Sequence, residues 1–459
     1  MDHSVETPTP TTVNRDVKYQ VHTFGCKVNT YDAGLIQKNL NANGFAPVIR
    51  GEKDARIHVL NTCAVTAEAT KEAVRYIRRL KVKDPFCTIV VTGCAAQVDT
   101  GSFSSLPGAD LIVANSHKGN LPDLLNKHFR GELTEKVFKS NIFKKEDLEM
   151  GGGIEKHHTR TFLKIQDGCN SFCTYCIIPY ARGKSRSISI ANLVQRINDL
   201  YAEGSREVVL TGVHIGDYED EINGKQMVME DLIENLLART KMPRFRLSSL
   251  EPVEVSERLL DLYSDSRLCP HFHMSIQSAN TEVLHHMKRK YTQDDVRKSL
   301  LAIEKRVPNS FVGMDVITGF PTESAEQFED TYQCLAKLPW TKLHVFPYSE
   351  RQGTRAAAMD VSVYPHVRAE RAARLRDLSI GRYTQQANLQ IGTTKRVLVL
   401  KNAAKGGQGL SHDYWPVDIA GAESFLTHWA GQEVDLKITG YDHSNKSHME
   451  GHLIGEVLT

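Results

Sequence analysis

The chain reads as an α/β protein in three parts. An N-terminal parallel α/β domain comes first, then an open, partial (β/α)6 barrel, then a small antiparallel β-barrel. Three observations predict this. Short β-branched runs alternate with helical patterns through the first 135 residues. Six further strand signals, again separated by helical patterns, run from about residue 159 to 389. From about Gly392 helical periodicity gives way to short strands broken by Gly and Asn/Asp turns. A length of 459 residues suits about three domains. The expected boundaries are a disordered tail over 1–17, a first domain over 18–135, a linker over 136–158, the barrel over 159–389 and the terminal domain over 390–459.

In the first domain KYQVHTF, ARIHVLNT, CTIVVTG and LIVAN are the strand signals. Between them TYDAGLIQKNLNANG puts Leu35, Ile36 and Leu40 on one helical face and stops at Gly44. The stretch from Thr66 to Lys83 does the same with Val74, Ile77 and Leu80. Alternation of this kind implies a parallel sheet with helices on its faces.

Cys26, Cys63 and Cys94 each follow one of these strands. The carboxyl ends of parallel strands share one sheet edge, where ligands bind. Three cysteines far apart in sequence should therefore converge. Cys87 opens the third strand, so it should lie about 20 Å away at the opposite edge. It reads as a buried structural cysteine. The nine cysteines of the chain, in a polypeptide of this length, point to metal or redox chemistry rather than a disulfide framework.

EDLEMGGGIEKHH reads as the linker. Gly151–Gly153 are not a phosphate loop, because no Lys-Ser/Thr follows, and Gly183-Lys184-Ser185 lacks the glycine five residues earlier. Beyond it DGCNSFCTYCIIPYARG carries Cys169, Cys173 and Cys176, a C-x3-C-x2-C pattern. One loop so spaced can wrap a corner of a compact centre. A four-iron cubane held by three thiolates keeps one iron open for substrate or cofactor. A zinc site is the alternative. It needs a fourth ligand, which His157 or His158 could supply.

The six barrel strands are RTFLKIQ, REVVLTG, RFRLSSL, HFHMSIQS, FVGMDVITGF and KLHVFPYS. In barrels the active residues gather at the strands' carboxyl ends. The triple-cysteine loop with Tyr175 follows the first strand. Thr211, Gly212, Ser249, Glu251, Gln277, Ser278, Gly319 and Glu323 follow later ones and should ring the same mouth.

The terminal domain shows KRVLVLK, QEVDLKITGY and GHLIGEVL. Such small barrels often bind nucleic acid. Residues 391–459 nonetheless hold six Lys/Arg against eight Asp/Glu, a net of −2. RNA binding there needs Lys395, Arg396, Lys401 and Lys405 on one face. Stronger basic signals are KEAVRYIRRLKVK and the group Arg182, Lys184 and Arg186 beside the cysteine loop.

With 41% hydrophobic and 24% charged residues the composition is that of a globular protein. No stretch reaches the ~18 apolar residues of a membrane span. The polar N-terminus lacks the apolar core of a signal peptide, so a cytoplasmic protein is expected. The net charge is only +2, so a nucleic-acid partner must be met by a local patch.

These motifs, in this order, resemble the radical S-adenosylmethionine methylthiotransferases over nearly everything after residue 17. TFGCKVN, with Lys27, Val28 and Asn29, together with CIIPYARGKSR and HVFPYSERQGTRAAAM, is similar to the branch acting on N6-threonylcarbamoyladenosine in tRNA. The isopentenyladenosine branch and the branch modifying a ribosomal protein read differently after the first glycine. The resemblance implies two [4Fe–4S] clusters, on Cys26, Cys63 and Cys94 and on Cys169, Cys173 and Cys176. It implies S-adenosyl-L-methionine near Tyr175, Thr211, Gly212, Ser249, Glu251, Gln277 and Glu323, and a TRAM-type terminal barrel. It further implies a monomer that uses tRNA and a reduced flavodoxin- or ferredoxin-like donor, with RNA contacts at Arg182, Lys184 and Arg186. The reaction implied is insertion of a methylthio group at carbon 2 of the adenosine flanking the anticodon. Two departures stand out: MSIQSAN replaces the usual proline-leucine-glutamine-serine-glycine run, and FPTES puts Thr322 where glycine is usual.

Overall fold

The computed structural model describes residues 17–49, 52, 55–146, 148, 159–401, 407–420, 428–443 and 450–457. The expected tail, apart from Val17, lies outside them. So do Gly151–Gly153, His157, His158 and Lys405. The chain forms two compact units, one running to Lys145 and one taking in everything from Thr159 on.

The first unit is a parallel six-stranded sheet. Its strands are β1 (Lys18–Thr23), β2 (Ala46–Pro47), β3 (Ile57–Thr62), β4 (Thr88–Gly93), β5 (Leu111–Ala114) and β6 (Val137–Phe138), in the order β2-β1-β3-β4-β5-β6. The four predicted strands are its centre. β3, β4 and β5 are buried at every residue, as strands covered on both faces must be. Helices α1 (Lys27–Ala42), α2 (Ala67–Lys83), α3 (Cys94–Val98), α4 (Thr100–Ser104) and α5 (Leu121–Phe129) lie between the strands. One core joins Ile36 and Leu40 of α1 and Leu124 and Leu125 of α5 to Val59, Val90 and Val113 of the sheet.

The start of the expected linker at residue 136 is corrected. Ile112 N donates to Lys136 O at 2.7 Å, and Val137 and Phe138 pair with Ile112 and Val113. Buried Ile142 follows in a single 3-10 turn. Two-residue edge strands such as β2 and β6 are too short to show alternation in sequence.

In the second unit β7 (Arg160–Lys164) is followed by a two-strand ribbon, β8 (Gln166–Asp167) with β9 (Arg186–Ser187). The barrel continues with β10 (Glu207–Thr211), a small hairpin of β11 (Asp220–Ile222) and β12 (Lys225–Met227), then β13 (Phe245–Leu247), β14 (His271–Gln277), β15 (Phe311–Thr318) and β16 (Lys342–Pro347). Parallel ladders run β7-β10-β13 and β14-β15-β16, and a single bridge from Leu250 to Met274 joins the two halves. This is the open six-unit barrel expected.

The terminal domain closes as β17 (Thr394–Val399), β18 (Gly407–Ser411), β19 (Pro416–Ala420), β20 (Glu433–Asp442) and β21 (His452–Val457), in the order β17-β18-β19-β21-β20. It is not wholly antiparallel, because β19 pairs parallel with β21. It also packs into the foot of the six-stranded barrel. Tyr414, at φ 77°, packs against His271 with ring centroids 3.8 Å apart and lies 5.5 Å from Phe311. Beside it Glu207 is gripped by Arg160, Arg244 and Arg246. Arg244 and Arg246 also donate to the carbonyls of Leu410, Ser411 and His412. Among the described residues no helix is long and apolar enough to cross a membrane.

Candidate cluster-binding sites

In the first unit the strand order reverses between β1 and β3, and Cys26 and Cys63 follow those two strands at that crevice. Gly25 sits at φ 90°. A Cβ there would lie 2.5 Å from Cys63 Sγ, so only glycine lets the two loops close. Gly93, at φ 94°, repeats the device one strand along, where a Cβ would fall 2.4 Å from Thr62 O. Cys94 follows it as the first residue of α3.

Asn29 pins these loops together. Its Nδ2 donates to Phe24 O at 2.7 Å and Thr62 O at 3.0 Å, while Asn61 Nδ2 donates to Asn29 O at 2.8 Å. Asn115 Nδ2 reaches Cys94 Sγ at 3.7 Å. Cys26 caps the N-terminus of the 16-residue α1 and is exposed, while Cys63 and Cys94 are buried. Cys87 is 1% exposed ahead of β4, at the strand's other end, and burial pushes its thiol above the ordinary value.

In the second unit the chain leaves β7 through a buried charge triad. Asp167 pairs with Lys164 at 3.0 Å and with Arg182 at 2.9 Å. Gly168, at φ 79°, then turns the chain against Lys184 O, where a Cβ would come within 1.9 Å. Cys169 N donates to Gly183 O at 3.2 Å. Thr174 fastens the loop across the barrel, donating to Met287 O and His286 O and accepting from Ala356 N. Tyr175 packs on the apolar cluster of Val283, Met287, Phe320, Tyr348 and Ala356.

All nine cysteines are free thiols. Burial pushes the Cys176 thiol up to about 12. Both sets of three cysteines follow strands and are free thiols, the donor type that iron–sulfur clusters take.

Sequence reasoning missed three residues at this mouth. Arg289 Nη1 donates to Cys173 Sγ at 3.1 Å and lies 3.0 Å from Glu251 Oε1, while Nη2 donates to Ser275 O. Gln166, fully buried, accepts from Val213 N and His214 N and donates to Gly168 O, tying the loop after β10 to the cysteine loop. His214 lies against Cys169, Asp217 and Glu254. Burial opposes a charge on His214, but Asp217, Cys169 and Glu254 outweigh it and hold the imidazole well above its ordinary value. A buried Gln at a strand end is a readable signal; a lone His or Arg in a loop is not.

The expected mouth residues divide. Thr211 is buried, and Gly212 is required small by Gln166 Oε1, 2.8 Å from where its Cβ would be. Ser249 and Gln277 hold φ of 55° and 60°, and Thr322 holds 75°. Left-handed non-glycine residues at three strand ends mark a site that stores strain. Burial raises Glu251 above the ordinary carboxylate range.

Glu323 is buried at the end of β15. Its carboxylate accepts from Gly319 N at 2.7 Å and Arg371 Nη1 at 2.6 Å and braces the turn after β15. Arg182, expected to meet RNA, is 3% exposed and pairs with Asp167. Lys184 is exposed, and Arg186 is half-buried with Nη2 on Arg182 O.

Residues 163–335 match the Radical SAM superfamily, and residues 18–114 match Uncharacterized protein family UPF0004. Threonylcarbamoyladenosine tRNA methylthiotransferase MtaB from Aquifex aeolicus is 34% identical over 387 residues, which are 84% of this chain and 93% of that protein. The chain belongs to the MtaB family of radical S-adenosylmethionine methylthiotransferases.

MtaB from Bacillus subtilis is 36% identical over 78% of this chain and 79% of its own. The tRNA-2-methylthio-N(6)-dimethylallyladenosine synthase of Geobacillus thermodenitrificans is 31% identical, over 80% and 71%. In fold, the chain is similar to the radical S-adenosylmethionine methyltransferase TsrM from Kitasatospora setae, with a TM-score of 0.53, 14% identity and coverage of 85% and 79%. Two [4Fe–4S] clusters and S-adenosyl-L-methionine are the cofactors of an MtaB-family chain, and zinc falls away as the alternative.

Proposed function

We propose that this protein inserts a methylthio group at carbon 2 of N6-threonylcarbamoyladenosine in tRNA. The observation that carries the reading is the pair of separate thiol triads, one at the sheet edge of each unit, in a chain of this family. Cys169, Cys173 and Cys176 would hold the cluster that works with S-adenosylmethionine, and Cys26, Cys63 and Cys94 the second. These groups supply one-electron cleavage of S-adenosylmethionine and delivery of sulfur, which acid–base chemistry cannot achieve at an unactivated carbon.

The chain's own side chains bind and orient. Arg289 and Glu251 set a cation and a carboxylate 3.0 Å apart beside Cys173. That pairing matches the carboxylate and ammonium of an amino acid, which S-adenosylmethionine carries at its methionyl end. Tyr175 and its apolar neighbours keep water from one side of the loop. Lys184 and Arg186 lie beside the mouth for RNA phosphates. The base enters splayed from its loop. The enzyme acts as a monomer in the cytoplasm, with a flavodoxin- or ferredoxin-like reductant.

Mass spectrometry of tRNA nucleosides from a deletion strain tests the reading. Loss of 2-methylthio-threonylcarbamoyladenosine with its unmethylthiolated parent accumulating is the expected result. An unchanged nucleoside profile would overturn it.

A further inference from the structure

The Arg289 guanidinium is fixed beside the cysteine loop by more than its pairing with Glu251. Nε donates to Tyr291 Oη at 2.8 Å and Nη2 to Ser275 O at 2.9 Å. Tyr291 is anchored in turn, its hydroxyl donating to Ser275 O and Ile276 O at the carboxyl end of β14. Its ring centroid lies 5.0 Å from the guanidinium carbon. The backbone is held as well, because Arg289 N donates to Leu284 O at 2.9 Å just after Lys288 at φ 63°. These contacts aim Nη1 at Cys173 Sγ, 3.1 Å away, and at Glu251 Oε1, 3.0 Å away. The Arg289 side chain is 6% exposed and Cys173 8%.

A guanidinium keeps its charge at any working pH. Out of water its field is weakly screened. Donated to a thiolate, it favours whichever redox state of the bound group carries more negative charge. One-electron reduction adds a negative charge to a cluster that three thiolates already make anionic, and hydrogen bonds to the sulfurs help set its potential. In the first unit Cys94 Sγ faces a neutral donor, the Asn115 amide.

Resting on the cluster reading above, we propose that Arg289 is a positioning residue that acts through Cys173 to raise the reduction potential of the cluster at Cys169, Cys173 and Cys176. The electron comes from the flavodoxin- or ferredoxin-like reductant and goes on to S-adenosylmethionine, so the step needs no further co-reactant. Arg289 gives up no proton and stays in place. Its share is to let the same reductant populate the reduced state more fully.

Potentiometric titration of the reconstituted full chain, read by electron paramagnetic resonance, tests this. The signal followed is the one that added S-adenosylmethionine perturbs, and the second cluster's signal is the internal control. Arg289→Gln removes the charge and should lower the midpoint, shifting the reduction equilibrium by about 10-fold or more, which is about 59 mV for one electron. Arg289→Lys keeps the charge without the fork and should shift it by a smaller factor, about 3-fold. The control signal should hold in both variants, with iron content and melting temperature reporting the fold. An iron-replete Arg289→Gln protein with an unmoved midpoint overturns the proposal and leaves the cluster reading intact. Equal movement of both signals does the same. If Arg289→Gln loses its iron, Arg289→Lys decides: a lowered midpoint supports the proposal, while lost iron or an unmoved midpoint makes Arg289 a structural brace and overturns it. A wild type with no signal sensitive to S-adenosylmethionine sinks the cluster reading and the proposal together.

Discussion

Arg246 Nη2 donates to Ser411 O at 2.9 Å, joining the foot of a barrel strand to a turn of the terminal domain 165 residues further on. The contact belongs to a network in which Glu207, Arg244 and Arg246 are all fully buried. Burial would raise the Glu207 carboxyl, but Arg160, Arg246 and Arg244 outweigh it and hold the group well below the ordinary range. Glu207→Gln would leave three guanidinium groups around a neutral amide. The expected destabilisation is about 3–5 kcal/mol, read as a shifted denaturant midpoint. Removal of 391–459 should be worse, because Arg244 and Arg246 then lose their carbonyl partners. A truncated protein melting at the wild-type temperature would contradict this.

The two thiol triads should separate. Alanine at Cys169, Cys173 or Cys176 is expected to abolish reductive cleavage of S-adenosylmethionine. Alanine at Cys26, Cys63 or Cys94 should leave cleavage measurable but stop methylthio product. Iron should fall by about half in either set, since each cluster has its own three thiolates. Full iron and normal product from Cys63→Ala would remove the second cluster from that site.

Cys87→Ser should keep both clusters. Its thiol is buried at the amino end of β4, away from the edge that gathers Cys63 and Cys94. A stability loss of about 1–3 kcal/mol is expected from burying the hydroxyl, measurable by thermal melting. Halved iron in a folded variant would show that this cysteine is a ligand.

Lys184 and Arg186 now carry the RNA expectation without Arg182. Replacing both with Ala should weaken tRNA binding and flatten its salt dependence by about 0.7 in log–log slope per lost phosphate contact. Arg182→Ala should instead act on the fold, because it removes one of the two buried ion pairs that hold Asp167 in front of Cys169. Iron content separates the cases: it should fall in Arg182→Ala and hold in the double variant.

His412 adds a pH dependence. Burial, then Arg244 and Arg246, lowers it to about 4, against about 6.5 in an unfolded chain. Below pH 6.5 the unfolded chain binds a proton that the fold refuses. Stability from this group is therefore full above about pH 6.5 and is lost as pH falls towards 4, by at most about 3 kcal/mol. Melting curves of wild type and His412→Gln should draw together across that window as the pH drops.

The strand-end positions of Cys26, Cys63 and Cys94 were legible because each follows a strand whose own pattern is strong, and parallel strands bring such positions to one edge. The fate of Arg182 was not. Its identity is the same whether it faces phosphate or pairs with Asp167, and the partner lies 15 residues back. The pairing of Glu323 was equally hidden, its partner Arg371 being 48 residues away. β18 and β19 were missed because glycines at 407 and 409 thin the strand signal and the pairing is non-local.

The tyrosine-tipped turn at the foot of the barrel also bears on traffic. A barrel plugged at its foot by Tyr414 and Phe311 would work as a last-in, first-out queue. The spent nucleoside of one S-adenosylmethionine would then wait for the RNA to lift. Turnover would then be paced by departure of the nucleic acid, and excess product tRNA should slow the enzyme more than excess 5′-deoxyadenosine.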